Sequence, residues 1–179
     1  MTECSKVGSA LSERMIPAVD VDLVISSEQD AERLCQLQRA AFDAESERFH
    51  RSRPFGPEGY DSVSGQVDLM RRTELYQIMF RGSAVGGLAV TVSGGAGRLV
   101  RIFVDPLHQG MGIGRTALEL LTERHPDVSK WELDTPDWSS RNHSFYESLG
   151  FHKVGETDRG DRGFRLFLFE RGSGPDQGA

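Results

Sequence analysis

Residues 108–121, HQGMGIGRTALELL, place three glycines at alternate positions directly before a segment with helical hydrophobic spacing. A strand-like segment, RLVRIFVDP, precedes them and ends at Pro106, because proline lacks the amide that strand pairing needs. Glycines at such a junction let consecutive backbone N–H groups turn toward one point, and the first helical turn adds unpaired amides and the positive end of its dipole. The pattern favours an anion site, most often one for phosphate. A tight turn that lets helix and sheet pack closely is the alternative.

Two familiar phosphate-binding loops can be compared with this segment. A P-loop requires the pattern G-x-x-x-x-G-K-S/T at the start of a helix, whereas here Gly114 is followed by Arg115 and Thr116. The spacing between the glycines is also wrong for that motif. The P-loop is therefore excluded.

The dinucleotide fingerprint G-x-G-x-x-G fits in part. Gly110 and Gly112 match its first two glycines, but Arg115 occupies the third position. Glu132 and Asp134 follow about 20 residues on, where a ribose-binding acid stands in such folds. However, nucleotide-binding folds usually begin with their βαβ unit, and here many residues of strand, helix and meander come first. An oxidoreductase that uses a nucleotide cofactor stays an alternative.

Length and composition limit the class of protein. The chain has 179 residues and 37% hydrophobic residues, and no apolar run approaches the roughly 20 residues of a membrane span. We expect a flexible leader at 1–18 without an export signal, a single domain at 19–170 and a disordered tail at 171–179. Two cysteines, neither in a CxxC motif, indicate reduced thiols in the cytoplasm. The net charge of −6 argues against nucleic acid as a partner.

Hydrophobic periodicity predicts a mixed order of elements. Strands are predicted at 19–26, 73–80, 83–92, 98–106, 129–135, 151–156 and 163–170. Helices are predicted at 26–45, capped by Ser26 or Ser27, at 66–72, from 112 to before Pro126, and at 141–150 with Gly150 as the C-cap. The segment between the first two helices is predicted to be an irregular loop.

The glycine segment also contains the pattern Q/R-x-x-G-x-G/A, as Gln109, Gly112 and Gly114. A second motif, FYESLGF at Phe145–Phe151, follows about 30 residues later and leads into a strand. With these two motifs in this order, the sequence resembles the GNAT family of acetyl-CoA-dependent N-acetyltransferases over residues 21–170. The segment DTPDWSSRNHSFYESLGFHKVGE looks like a branch of small bacterial members.

This resemblance implies an α/β (α+β) fold, with a mixed, mostly antiparallel central sheet of about seven strands and about four helices on its two faces. It implies transfer of an acetyl group from acetyl-CoA to a primary amine by direct attack in a ternary complex. Strand 99–104 would separate from strand 131–134, and amides around Phe103 and Val104 would bind the pantetheine arm and polarise the thioester carbonyl. The pyrophosphate would bind at the glycine segment, comprising Gln109, Gly110, Gly112, Gly114 and Arg115. A CoA-binding module without catalysis is an alternative.

The resemblance also suggests catalytic residues. Tyr146 resembles the tyrosine that protonates the departing thiolate, since a phenol has a higher pKa than a thiol. Asn142 resembles an asparagine that contacts the cofactor arm, although the commoner spacing falls on Ser139. Strand 98–104 lacks the glutamate base of many relatives. Glu132 and Asp134 share one face of the next strand, so either is a candidate base, alone or after a water relay, or a partner of Arg101 in an ion pair.

The acceptor site is predicted from the segment between the first helix and the second strand. Its candidate residues are Arg53 and Tyr60, joined by Arg101, which alternates with Leu99 and Phe103 on the central strand and suits an acceptor carboxylate or phosphate. We expect a small-molecule amine as the acceptor. No metal is expected, because none of the five histidines forms an HxxxH or HExxH pair. A homodimer stays open, since no pattern indicates the oligomeric state.

Overall fold

The computed structural model describes residues 20–49, 55–160 and 163–172. Within them lie seven strands, β1 Val21–Ile25, β2 Glu74–Phe80, β3 Ser83–Ser93, β4 Ala96–Val104, β5 Lys130–Pro136, β6 His152–Glu156 and β7 Leu166–Gly172. Four α-helices accompany them, α1 Ala31–Arg48, α2 Val63–Arg72, α3 Ile113–Arg124 and α4 Ser140–Glu147, with 3-10 turns at Glu28–Asp30 and Pro106–His108. The predicted leader lies outside the described residues. So does the predicted tail, except for its first two residues, with which β7 ends.

The strands form one sheet in the order β1-β2-β3-β4-β5-β7-β6. The β4–β5 pair is parallel, and each of the other neighbouring pairs is antiparallel. The first four strands follow chain order, as short connections favour, and α3 supplies the crossover that a parallel pair requires. The predicted fold class, a mostly antiparallel sheet of about seven strands with about four helices, is confirmed.

Apolar side chains leave both faces of the sheet, and helices cover each of them. The face under α1 and α2 buries a cluster made of Leu34, Leu37, Ala41, Leu69, Leu75, Ala89 and Phe103. The opposite face packs against α3 through Ile113, Ala117, Leu118 and Leu121, and Trp131 and Phe169 are the largest side chains buried there. None of the described helices combines the length and apolar character needed to cross a membrane.

Two helices begin three or more residues away from the predicted position. α1 begins at Ala31, because a 3-10 turn precedes it in which the amide and hydroxyl of Ser27 donate to the Asp30 carboxylate at 2.8 and 2.9 Å. α2 begins three residues before the predicted start, since the Ser62 hydroxyl accepts a hydrogen bond from the Gly65 amide at 3.1 Å and caps the helix there.

A β-bulge changes the faces of β4. The pairing with β3 shifts by one residue at Val100, so that Leu99 joins the cluster under α3. Arg101 and Phe103 instead face α1, where the Arg101 guanidinium contacts Gln38. The predicted alternation is therefore wrong at Leu99, because a bulge adds one residue to the period of two.

The parallel pair opens after three residues. β4 and β5 pair over Ala96–Arg98 and Lys130–Glu132 and then diverge, as predicted. The ring of Trp131 lies over Gly97, where an added Cβ would stand 2.5 Å from the ring carbons, so only glycine fits at that point of the junction. Beyond the junction, the edge of β4 that faces β5 is open.

Candidate active site

The hydrogen bonds between β4 and β3 show which amides of β4 face its open edge. The Asp105 amide donates to the carbonyl of Val85 in β3 at 2.8 Å. Backbone groups of a strand alternate between its two neighbours, so the amides of Ile102 and Val104 face the gap and that of Phe103 faces β3. Of the two amides predicted to hold an extended ligand, that of Val104 is therefore the one placed to do so.

The glycine loop lies at the end of this gap. Gly110 and Gly112 have left-handed backbones, with φ of 79° and 80°, a conformation that glycine adopts without steric cost. Gly112 caps α3, and the first amides of α3 have no acceptor within the helix. Gly114 faces Phe145, with 3.4 Å between an added Cβ and the ring. The loop thus presents free amides and the positive end of the α3 dipole.

Two side chains predicted to bind the cofactor also hold the loop in place. Gln109 donates from Nε2 to the Val104 carbonyl at 2.9 Å and accepts from Arg141 of α4 at 2.8 Å. Arg115 donates to the Ser148 hydroxyl at 2.8 Å and to its carbonyl at 3.2 Å. Gln109 therefore fastens the loop to the end of β4, and Arg115 fastens α3 to the end of α4.

A cavity of about 310 Å³ runs from the loop along the open edge of β4. Its lining includes every residue predicted as cofactor-binding, namely Phe103, Val104, Gln109, Gly110, Gly112, Gly114, Arg115 and Asn142. The structure therefore brings these residues together around one cleft, hereafter the loop cavity. Their predicted role in cofactor binding stays a prediction.

A second cavity of about 350 Å³ adjoins it and is hereafter called the acceptor cavity, after the role that the sequence predicts for Arg101. Aromatic rings of Phe42, Phe55, Trp138 and Phe164 line it, together with the charged side chains of Glu45, Arg101 and Asp134. Five residues line both cavities: Phe42, Glu45, Ile102, Asn142 and Tyr146. The two cavities therefore meet between the end of α1, the middle of β4 and α4.

Tyr146 stands where the cavities meet. It is buried, and its ring packs against Phe151 and Phe169 at centroid distances of 5.9 and 6.3 Å. Among the described residues, its hydroxyl has no hydrogen-bond partner. Burial raises the pKa of this phenol, and the carboxylates of Asp134 and Glu45 raise it further. The hydroxyl is therefore protonated at neutral pH and available to donate.

The two carboxylates of β5 have different surroundings. They share one face, as predicted, but Glu132 lies at the closed junction and lines neither of these two cavities. A hydrogen bond from Lys130 lowers the pKa of Glu132, against the expectation that like charge raises it. Asp134 lines the acceptor cavity and pairs with Arg98, whereas the predicted alternative was a pair with Arg101.

Glu45 was not among the catalytic or binding residues predicted from the sequence. It accepts a hydrogen bond from Ser139 Oγ at 2.6 Å, forms an ion pair with Arg48 at 2.8 Å and lines both cavities. One signal was present in the sequence, because Glu45 continues the buried stripe of α1 one turn after Ala41. A carboxylate on that stripe indicates a polar cavity.

The three predicted acceptor residues have different positions. Arg101 lines the acceptor cavity. Tyr60 does not, because its hydroxyl donates to Asp43 at 3.0 Å, while its carbonyl accepts from Gln38 Nε2 at 2.7 Å. Burial, followed by the hydrogen bond and charge of Asp43, raises the pKa of Tyr60 to about 12. Arg53 lies outside the described residues.

Comparison with known proteins identifies a matching domain in the segment that carries most of this site. Residues 72–153 match the model of the acetyltransferase (GNAT) domain, a segment that includes the glycine loop and Tyr146. The chain is 34% identical over 83 residues to YrkN of Bacillus subtilis (strain 168), an uncharacterised protein, and the match spans 45% of each chain.

Solved structures share the fold at low sequence identity. The PaiA N-acetyltransferase of Thermoplasma acidophilum in complex with coenzyme A aligns with a TM-score of 0.67 and 16% identity over 85% of this chain and 98% of that one. The ribosomal-protein-S18-alanine N-acetyltransferase of Escherichia coli aligns with a TM-score of 0.67 and 18% identity over 89% and 98%.

The sheet with its parallel pair opened beside a glycine loop defines a GNAT-type fold. Together with the match of residues 72–153, it confirms the resemblance to GNAT acetyltransferases noted in the sequence.

Proposed function

We propose that this protein is an acetyl-CoA-dependent N-acetyltransferase that transfers the acetyl group to a primary amine of a small molecule by direct attack in a ternary complex. The observation that carries the proposal is the meeting of the two cavities at Tyr146, one of which leads along the open edge of β4 to the glycine loop. The loop cavity suits a thioester donor and the acceptor cavity suits an amine, so both substrates reach Tyr146.

The residues of the loop cavity fit coenzyme A. Free amides from Gly110 to Arg115, at the positive end of α3, suit a pyrophosphate, and the open edge of β4 suits an amide-containing arm. When bound, acetyl-CoA supplies a thioester carbonyl for attack by an amine. The neighbour from Thermoplasma acidophilum is described as a complex with coenzyme A, which supports the same ligand here.

Residues of this chain then have distinct roles. The Val104 amide donates to the carbonyl oxygen as negative charge develops on it. As the carbon–nitrogen bond forms and the carbon–sulfur bond breaks, Tyr146 gives its proton to the sulfur. The carboxylates of Glu45 and Asp134 attract the acceptor's ammonium group and receive the amine proton through water.

The cytoplasm is the proposed location. Cys35 is a buried free thiol, which is typical of proteins in a reducing compartment. The proposed reaction also requires acetyl-CoA as its donor.

A thermal melt with acetyl-CoA, CoA, NAD and NADP in parallel tests the cofactor. A ligand present at 100 times its dissociation constant adds about 2.7 kcal/mol to the free energy of unfolding. For a chain of this size, that is a rise in Tm of roughly 5–11 °C. We expect this rise with acetyl-CoA and CoA and none with the dinucleotides. A rise with NAD or NADP alone would instead favour the oxidoreductase.

A further inference from the structure

Arg101 carries a buried positive charge that the fold does not explain. Its side chain is 8% exposed, and its described hydrogen bond is a donation to Gln38 Oε1 at 3.2 Å. Its Nε atom has no partner among the described residues, and no carboxylate within that part of the chain pairs with it. Burying a cation without a counterion costs several kcal/mol. Packing alone does not explain why a cation occupies this position.

Arg101 is held in a fixed place. The Gln38 amide donates to the Tyr60 carbonyl at 2.7 Å, which turns its Oε1 atom toward the guanidinium. Gln38 is fully buried, so this orientation is set by the packing of α1 against the loop that follows it. Arg101 lines both the acceptor cavity and a third cavity of about 690 Å³ beside α2.

Ion pairs account for most of the charged groups around Arg101. Asp134 pairs with Arg98, Asp68 with Arg71 and Glu45 with Arg48, whereas Arg72 and Glu58 line the third cavity with no described ion-pair partner. Burial, with a further contribution from the positive charge of Arg72, lowers the pKa of Arg101 to about 10. The guanidinium is still charged at neutral pH, and an anion placed between these two arginines would relieve their repulsion.

The walls of the acceptor cavity are apolar and aromatic. The ring of Phe55 meets those of Trp138 and Phe164 edge-on, at centroid distances of 5.6 and 4.8 Å. Phe42 lines the cavity from α1. These surfaces suit a flat or apolar body, while the charged groups lie at separate points.

Resting on the acetyltransferase function proposed above, we infer that the acceptor is a small amine that also carries an anionic group and an apolar, preferably aromatic, body. The anion binds Arg101, the apolar body lies against the ring of Trp138, and the amine is directed to Tyr146. Arg101 and Val104 lie three residues apart on β4, so the proposed positions of the anion and of the amine lie along the same strand. Aromatic amino acids and aminophosphonates share this chemistry.

Three matched acceptors test the inference by the release of free thiol from acetyl-CoA. These are phenylalanine, phenethylamine, which lacks the anion, and 1-amino-2-phenylethylphosphonic acid, which replaces the carboxylate with a phosphonate. We expect kcat/KM for at least one of the anionic acceptors to exceed that for phenethylamine by about tenfold, the lower bound for a hydrogen bond to a charged group. The ratio of kcat/KM between phenylalanine and the phosphonic acid shows whether the site prefers a carboxylate or a phosphonate.

Variants connect this preference with Arg101. Arg101→Met lowers kcat/KM for the anionic acceptors about tenfold more than for phenethylamine, because it removes the charge and retains most of the length. Arg33→Met is the matched control, since Arg33 is exposed near the start of α1 and lines none of the three cavities. It keeps the wild-type preference. If Arg101→Met does not fold, the preference of the wild-type protein decides the question.

A binding measurement distinguishes the failure of this inference from the failure of the proposed function. Calorimetry of the CoA complex with N-acetylphenylalanine and with N-acetylphenethylamine needs no turnover, and we expect the former to bind about tenfold more tightly. Absence of CoA binding overturns both proposals. Binding of CoA with equal or weaker binding of the anionic compound, or with no binding of either, overturns this inference alone.

Discussion

Replacement of Tyr146 by phenylalanine is expected to lower kcat by roughly 100-fold or more, since general acid catalysis contributes about 10²- to 10⁴-fold. The variant removes one oxygen from the place where the two cavities meet and leaves the ring packing on Phe151 and Phe169 intact. The affinity for acetyl-CoA and the free energy of unfolding should change little, because the hydroxyl has no hydrogen-bond partner among the described residues. Single-turnover kinetics, calorimetry and a denaturant melt measure the three quantities.

The pH dependence of kcat gives a second readout. The pKa of Tyr146 is raised by burial and by two nearby carboxylates, so the phenol stays protonated well into the alkaline range. The wild-type enzyme should therefore show no loss of kcat between neutral pH and about pH 9 from ionisation of this group. An alkaline loss of kcat in that range that disappears in Tyr146→Phe would contradict the raised pKa.

Tyr76→Phe is the matched control for this experiment. Tyr76 is also buried, but its hydroxyl donates to Glu74 at 2.6 Å and it lines none of the three cavities. Its loss should cost about 1 kcal/mol of stability and leave kcat unchanged. If Tyr146→Phe keeps full activity, the tyrosine is a packing residue. If the wild-type protein binds acetyl-CoA and acetylates no amine, the module without catalysis is the better reading.

The features that sequence analysis predicted well depend on residues close together in the chain. The left-handed backbones of Gly110 and Gly112 and the cap of α3 need only a strand, a few glycines and a helix in succession. The order of the first four strands follows in the same way from short connections. The open edge of β4 was expected from the resemblance rather than from any local pattern.

Other features depend on pairing between distant segments and were missed. The bulge at Val100 arises from the register of β4 against β3, and nothing within β4 marks it. Asp134 pairs with Arg98 on the neighbouring strand rather than with Arg101, which the bulge turns toward α1. The Glu45 carboxylate accepts a hydrogen bond from Ser139, which lies 94 residues away in the chain. Only the packed structure brings the two side chains together.

The substitution Gly112→Val is expected to weaken the binding of acetyl-CoA by roughly 10- to 150-fold. This factor corresponds to the loss of one hydrogen bond to a charged group, about 1.5–3 kcal/mol. Gly112 has a φ of 80° and caps α3. A β-branched residue is strained in this conformation and shifts the loop, so that its amides no longer converge on the pyrophosphate. Calorimetry with CoA well below the melting midpoint measures the change in dissociation constant.

Gly82→Val separates the loss of the phosphate site from the strain of the substitution. Gly82 has nearly the same backbone, with a φ of 78°, but lies in the turn between β2 and β3, and an added Cβ there meets nothing within 4 Å. Both variants should lose about 1–2 kcal/mol of stability from the left-handed conformation. Only Gly112→Val should lose affinity for CoA. Equal affinities in the two folded variants would mean that the loop shapes the turn without binding phosphate, because backbone strain alone does not distinguish the two positions.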